Sequence, residues 1–178
     1  HMAHHDALTG LPNRVLLRDR IQQAIAQAHR NGMQIAVLFI DLDRFKTIND
    51  SLGHSVGDEL IARAGKIFRA RVRATDVLAR VGGDEFAVLL PGVDSEHAQI
   101  VARSLLDAIR SEGDVQTRSG ARRVTASIGI AAFESAGDLT GEELLVEADI
   151  AMYDAKESGR DRACVYSPAG EERHGVQV

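Results

Sequence analysis

The feature that most limits what this chain can fold into is the stretch Leu78 to Leu90, LARVGGDEFAVLL. Two runs of strand-forming residues flank a Gly-Gly pair, which is the composition of a β-hairpin. A hairpin requires antiparallel pairing, yet the segments around it alternate between helical and strand periodicity. From Pro12 to Asn31 the residues Val15, Leu16, Ile21, Ala24, Ile25 and Ala28 recur at helical spacing, with Gly32 after the end. Ile35 to Ile40 is a continuous branched apolar run that reads as a buried strand and ends in Asp41-Leu42-Asp43. Further helices are predicted over Asp58 to Val72, over Ser95 to Ile109 and from a Thr140/Glu143 capping box to Gly159. Strands are predicted over Val124 to Ala131 and over Ala163 to Tyr166. A hairpin inside such a series predicts an α+β fold with a mixed sheet instead of a purely parallel one.

Length and charge narrow the function. A chain of 178 residues suits one domain with a single core. With 44% apolar, 26% charged and 4% aromatic residues it has the profile of a folded soluble domain, and no apolar run reaches the length of a membrane span. The net charge of −5 repels nucleic acid, so a nucleotide ligand needs a local site. The single cysteine, Cys164, excludes an internal disulfide framework and fits a reducing compartment, with cytoplasm as the default. His1-Met2 reads as a cloning remnant, and the natural protein is expected to be longer. His1, His4 and His5 lie in an end segment and are not taken as a metal site.

Three polar clusters offer chemistry, and each has a plain structural reading beside it. Asp41 and Asp43 close a buried strand and point the same way along an extended chain, so at least one is available for a cation, while Asp43 could cap the next turn. If the hairpin lies beside that strand, Asp84 and Glu85 join Asp41, and the repulsion among these acids calls for a cation. All-oxygen ligation favours magnesium. Asn49 to Asp58 reads as a loop and cap, with Asp58 as an acid at a helix start. Its Asn and Asp groups are also of the type that hydrogen-bonds a purine edge. Lys156 and Arg160 end a helix with positive charge and have the chemistry to hold phosphate.

Taken together the residues resemble the GGDEF family of diguanylate cyclases. The resemblance rests on DALTGLPNR at Asp6 to Arg14, FIDLDRFKTINDSLGHSVGD at Phe39 to Asp58 and RVGGDEF at Arg80 to Phe86. It extends to TASIGIA at Thr125 to Ala131 and ADIAMYDAKESGRDR at Ala148 to Arg162. It implies a GGDEF domain over residues 6–168, an N-terminal tail over 1–5 and a polar C-terminal tail over 169–178. The implied fold is a central, mainly antiparallel sheet flanked by helices, related to nucleotidyl cyclase and polymerase palm domains. The implied reaction condenses two GTP into cyclic di-3′,5′-guanylate and two pyrophosphates at the interface of a homodimer, with Mg²⁺, or Mn²⁺ in its place.

By the same resemblance, Asp41, the Leu42 carbonyl, Asp84 and Glu85 are expected to bind metal, and Asp84 is the expected proton acceptor. Asn49 and Asp58 match guanine contacts and His54 a further substrate position. Phe45 and Lys46 are expected to offer backbone N–H groups to phosphate, Lys156 and Arg160 to bind phosphate, and Gly82 and Gly83 to admit the nucleotide. Arg73-x-x-Asp76 matches an inhibitory product site, although Ser104, beside Arg103, stands where many relatives carry a further arginine. The alternative is a non-catalytic cyclic di-GMP receptor, or a GTP-binding regulatory module of a larger, even membrane-attached, signalling protein.

Overall fold

The structure, a computed structural model, describes residues 3–134 and 137–168. His1-Met2 and the tail expected over 169–178 lie outside the described residues. Helices α1 (Arg14–Asn31), α2 (Phe45–Leu52), α3 (His54–Arg69), α4 (Ser95–Glu112) and α5 (Gly141–Glu157) surround the sheet. The strands are β1 (Ile35–Leu42), β2 (Val77–Arg80), β3 (Glu85–Pro91), β4 (Val115–Thr117), β5 (Gly120–Arg122), β6 (Ala126–Phe133) and β7 (Arg162–Val165). The main sheet runs β2-β3-β1-β6-β7, and every pairing in it is antiparallel except β6 with β7. The predicted α+β fold with a mixed, mainly antiparallel sheet is the observed one.

β1 is central and buried along its whole length, which explains its unbroken apolar run. Its side chains alternate between two cores. Ala36, Leu38, Ile40 and Leu42 pack in the core with residues of α3 and α4, whereas Ile35, Val37 and Phe39 pack with residues of α1 and α5. The same parity runs through β3, where Phe86 and Val88 belong to the first core and Ala87 and Leu89 to the second. Asp41 and Glu85 are odd-numbered on paired strands. Both therefore emerge on the side of the sheet that α1 and α5 cover.

Four expectations are corrected. The segment read as a loop and cap from Asn49 to Asp58 is almost wholly helical, broken only at Gly53 (φ 91°). α3 begins at His54, so Asp58 sits past its first turn and is no helix-start acid. A small hairpin, β4 with β5, lies where no strand was expected. In α1, Ile21, Ile25 and Ala28 are buried as the spacing predicts, but Leu17, outside the predicted stripe, is buried too and Val15, inside it, is 57% exposed. The N-cap half of the capping box forms: Thr140 Oγ1 accepts from Glu143 N at 3.2 Å.

Candidate active site at the end of the central strand

The β1/β3 register pairs Asp41 with Glu85, and Leu42 N donates to Asp84 O at 3.1 Å. The strand pairing on which a shared carboxylate site depended is therefore present. Asp41 is 6% exposed and its Oδ2 lies 2.6 Å from Lys156 Nζ. Burial pushes the Asp41 carboxyl up to about 7; Asp84 pushes the same way, and the Lys156 ammonium opposes them. Glu85 is also held above the ordinary carboxylate range, first by burial and then by Asp84 and Asp149. The corner is short of positive charge, and Lys156 supplies part of it. As the side chains stand, no group of three or more His, Cys, Asp or Glu among the described residues encloses an ion position. The donors that fit a hard cation are all oxygens, and one of them already holds a cationic group.

The glycine turn differs from the two-residue hairpin its letters suggest. The loop covers residues 81–84, with Val81 N and Gly82 N both donating to Glu85 O, and neither Gly82 nor Gly83 has positive φ. A Cβ on Gly82 would lie 2.6 Å from Glu85 Oε1, so a side chain there would push the Glu85 carboxylate aside. A Cβ on Gly83 would meet nothing within 4 Å, so that side of the turn stays open.

Arg80, which sequence reasoning did not single out, holds the turn. Its Nε donates to Gly82 O at 3.1 Å and its second terminal nitrogen to Gly83 O at 2.7 Å. Its first terminal nitrogen reaches Asp6 Oδ1 at 3.1 Å. Asp6 also accepts from Thr9 N and Oγ1, so the N-terminal block and the glycine turn form one unit. Burial works to raise the Asp6 carboxyl, but the Thr9 bonds and Arg80 outweigh it and hold the group below its ordinary value. Arg80→Ala is expected to lower stability by roughly 1–3 kcal/mol, because the carbonyls and Asp6 lose their charged donor. Arg80→Lys should recover little, since one ammonium cannot fork to both carbonyls and Asp6. Thermal unfolding of the two variants is the check.

α2 and α3 bring the next group together. Arg44, which precedes α2, is left-handed (φ 57°) and offers no side-chain cap, so the first amides of α2, at Phe45 and Lys46, lack a capping side chain. Asn49 lies against Gly57, where a Cβ would fall 1.7 Å from Asn49 Oδ1 and 3.1 Å from Phe45 Cζ. Phe45 and Asn49 thus both lie against Gly57, the residue before Asp58. Asn49 Oδ1 is buried with no hydrogen-bond partner. Asp58 and His54 are exposed on α3, as is Lys46 on α2.

Asp43 is neither a helix cap nor a free cation ligand. Its Oδ1 accepts from Ser127 Oγ at 2.6 Å, and its Oδ2 from Thr125 Oγ1 at 2.6 Å and Asp161 N at 3.0 Å. Arg73 and Asp76 form a local ion pair. Asp76 is buried and takes both the backbone N of Arg73, at 2.7 Å, and its guanidinium, at 2.8 Å. The Arg73 side chain remains 56% exposed.

The family profile described as "Diguanylate cyclase, GGDEF domain" matches residues 3–162. The chain belongs to the GGDEF-domain family. Among curated relatives, this GGDEF domain is 45% identical over 165 residues to the bifunctional diguanylate cyclase/cyclic di-GMP phosphodiesterase MucR of Pseudomonas aeruginosa. That match covers 93% of this chain and 24% of MucR. It is 42% identical over 162 residues to the diguanylate cyclase TpbB of the same organism, covering 90% of this chain and 37% of TpbB. The chain therefore spans roughly a quarter to two fifths of these relatives. Among solved structures, the GGDEF domain of P. aeruginosa PA1120 superposes with a TM-score of 0.83 at 37% identity, covering 90% of this chain and 99% of that one. The GGDEF domain of Caulobacter crescentus DgcB, solved in complex with c-di-GMP, gives 0.85 at 28% identity, covering 93% of this chain and 94% of that one. Among the described residues, no helix of this GGDEF domain is long and apolar enough to cross a membrane.

Proposed function

We propose that the unit over residues 6–168 is a diguanylate cyclase that condenses two GTP into cyclic di-3′,5′-guanylate and two pyrophosphates. The observation that carries this reading is the pairing of Asp41 with Glu85, beside Asp84, at the end of a buried central strand with Lys156 against Asp41. A site that gathers acids where a cation must balance them suits phosphoryl transfer. Asp41, the Leu42 carbonyl, Asp84 and Glu85 would hold magnesium, or manganese in its place. When bound, the metal supplies charge neutralisation at the phosphates and at the attacking oxygen. Lys156 then leaves Asp41 for phosphate, joined by Arg160, whose guanidinium makes no ion pair among the described residues.

The remaining residues bind and orient. The uncapped first amides of α2, at Phe45 and Lys46, face their natural ligand in a phosphate. Asn49 and Asp58 would read guanine, and the unpartnered Asn49 Oδ1 is of the kind that a ligand satisfies. His54 lies one turn before Asp58 on α3. Gly83 leaves the turn open to the nucleotide, and Asp84 would take the proton of the attacking 3′-hydroxyl. One chain offers one such site, so two chains must face each other to bring a 3′-hydroxyl to the partner's α-phosphate. Incubating the protein with GTP and magnesium and resolving the products by chromatography tests the reading. Cyclic di-GMP is the expected product.

Product inhibition through Arg73 belongs to the same proposal. Asp76 is committed to Arg73, so the exposed arginine is the reachable half of the pair. Added cyclic di-GMP is expected to slow the wild-type reaction and to lose that effect in Arg73→Ala. Coincident inhibition curves would end the idea.

A further inference from the structure

Among the described residues, the non-glycine residues with left-handed backbone are Arg44 (φ 57°), Arg160 (φ 64°) and Asp161 (φ 50°). All of them border one carboxylate. Arg44 follows Asp43 in the chain, and Asp161 N donates to Asp43 Oδ2 at 3.0 Å. Two successive side-chain-bearing residues in this conformation persist only where the surroundings over-determine it.

The surroundings here are specific. Arg110, in the last turn of α4, donates from Nε to Asp161 Oδ1 at 2.6 Å and from a terminal nitrogen to Asp161 O at 3.0 Å. Asp43, 5% exposed, accepts from the Asp161 amide while Thr125 and Ser127, at the start of the neighbouring strand β6, fix its own orientation. Arg160 N donates to Ala155 O at 3.0 Å, and Arg160 O accepts from Arg162 Nε at 2.9 Å. The turn is therefore gripped at Arg160 and Asp161, while the Arg160 guanidinium makes no ion pair among the described residues.

The geometry points to Asp43 and Arg110 as positioning residues that lock the 159–161 turn and so present Arg160 to a substrate phosphate. This rests on the reading that Arg160 binds phosphate. Neither residue touches substrate. A turn that relaxed to right-handed or extended backbone would carry the Arg160 side chain elsewhere, with Lys156, a turn earlier on α5, still paired to Asp41.

The test is a double-mutant cycle. Affinity for an α,β-methylene analogue of GTP, with magnesium, is measured by calorimetry on the wild type, Arg110→Ala, Arg160→Ala and the double variant. The backbone NMR shifts of residues 159–161 are recorded without ligand. Arg110→Ala and Arg160→Ala are each expected to weaken binding by roughly ten- to a hundredfold, as loss of one charge-assisted phosphate contact does. The double variant should bind no worse than Arg160→Ala, because Arg110 acts only through Arg160. Arg110→Ala should also move the 159–161 shifts away from left-handed values. A further loss in the double variant, or unchanged affinity and shifts in folded Arg110→Ala, overturns the inference. Arg110→Gln serves in place of Arg110→Ala if the latter does not fold. A wild type that binds no analogue defeats the nucleotide reading instead, and the NMR shifts still report on the lock itself.

Discussion

Asp84→Ala is expected to abolish cyclic di-GMP formation, leaving a rate at least about 10²–10⁴-fold below wild type, the range for removing a group that moves a proton in the transition state. Asp84 stands at the tip of the 81–84 turn, its carbonyl anchored by Leu42 N and its charge acting on both Asp41 and Glu85. Truncation removes a proposed metal ligand and the proposed proton acceptor together, while Asn49 and Asp58 lie on α2 and α3 and are untouched. Binding of a non-hydrolysable GTP analogue should therefore survive far better than turnover. Measured side by side, turnover that persists in Asp84→Ala would remove the acid corner from the mechanism.

Asp41→Asn carries the second large effect, with opposite signs for activity and stability. Turnover should fall as far as in Asp84→Ala, since Asp41 is the buried acid of the corner. Stability of the metal-free protein should rise. The folded Asp41 pKa of about 7 lies above the ordinary carboxyl value of 3.8, so its stabilising contribution is complete below pH 3.8. That contribution is lost as pH rises through about 7, where the folded protein must carry a buried charge. Asparagine never carries that charge. The variant's advantage should grow from acid pH to near pH 7 and then level off, reaching on the order of 1 kcal/mol or more. Denaturant unfolding at several pH values in the presence of a chelator reads it. A variant less stable than wild type at pH 8 would mean that the Lys156 pair outweighs the burial of Asp41. Saturating magnesium should shrink the difference, because metal favours the ionised wild type.

How much of this was legible in the sequence depends on how far apart the partners lie. The β1 run and the hairpin were readable because buried strands and turns are local patterns, and period-two parity then carries Asp41 and Glu85 to one face. β4 and β5 were not readable: Val115–Thr117 and Gly120–Arg122 are too short and polar to show any period. The polar letters from Asn49 to Asp58 resembled a loop, because exposed helix faces and loops draw on the same residues. There only Gly53 marked a real break.

Within the site, the acids that line the strand end were found, and the groups that hold them were missed. Asp43 looked like a cap or a cation ligand because its true partners, Thr125, Ser127 and Asp161, lie 82 to 118 residues away. Arg80 was visible two residues before the glycines, but its bond to Asp6 spans 74 residues. A signal did exist for Arg80 and its partner Asp6: both stand inside the blocks that carry the family resemblance, without any assigned chemistry. The Gly82-Gly83 pair read correctly as a hairpin turn, whose loop covers residues 81–84 and closes on Glu85 O.

The most direct test of the central claim is the rate of cyclic di-GMP formation per protein molecule as a function of protein concentration, at saturating GTP and magnesium. If each chain holds one nucleotide and two chains must meet, the specific rate rises with concentration and levels off only when the pairs are fully formed. A specific rate that is flat at every concentration, or GTP that is never converted to cyclic di-GMP, would contradict the account.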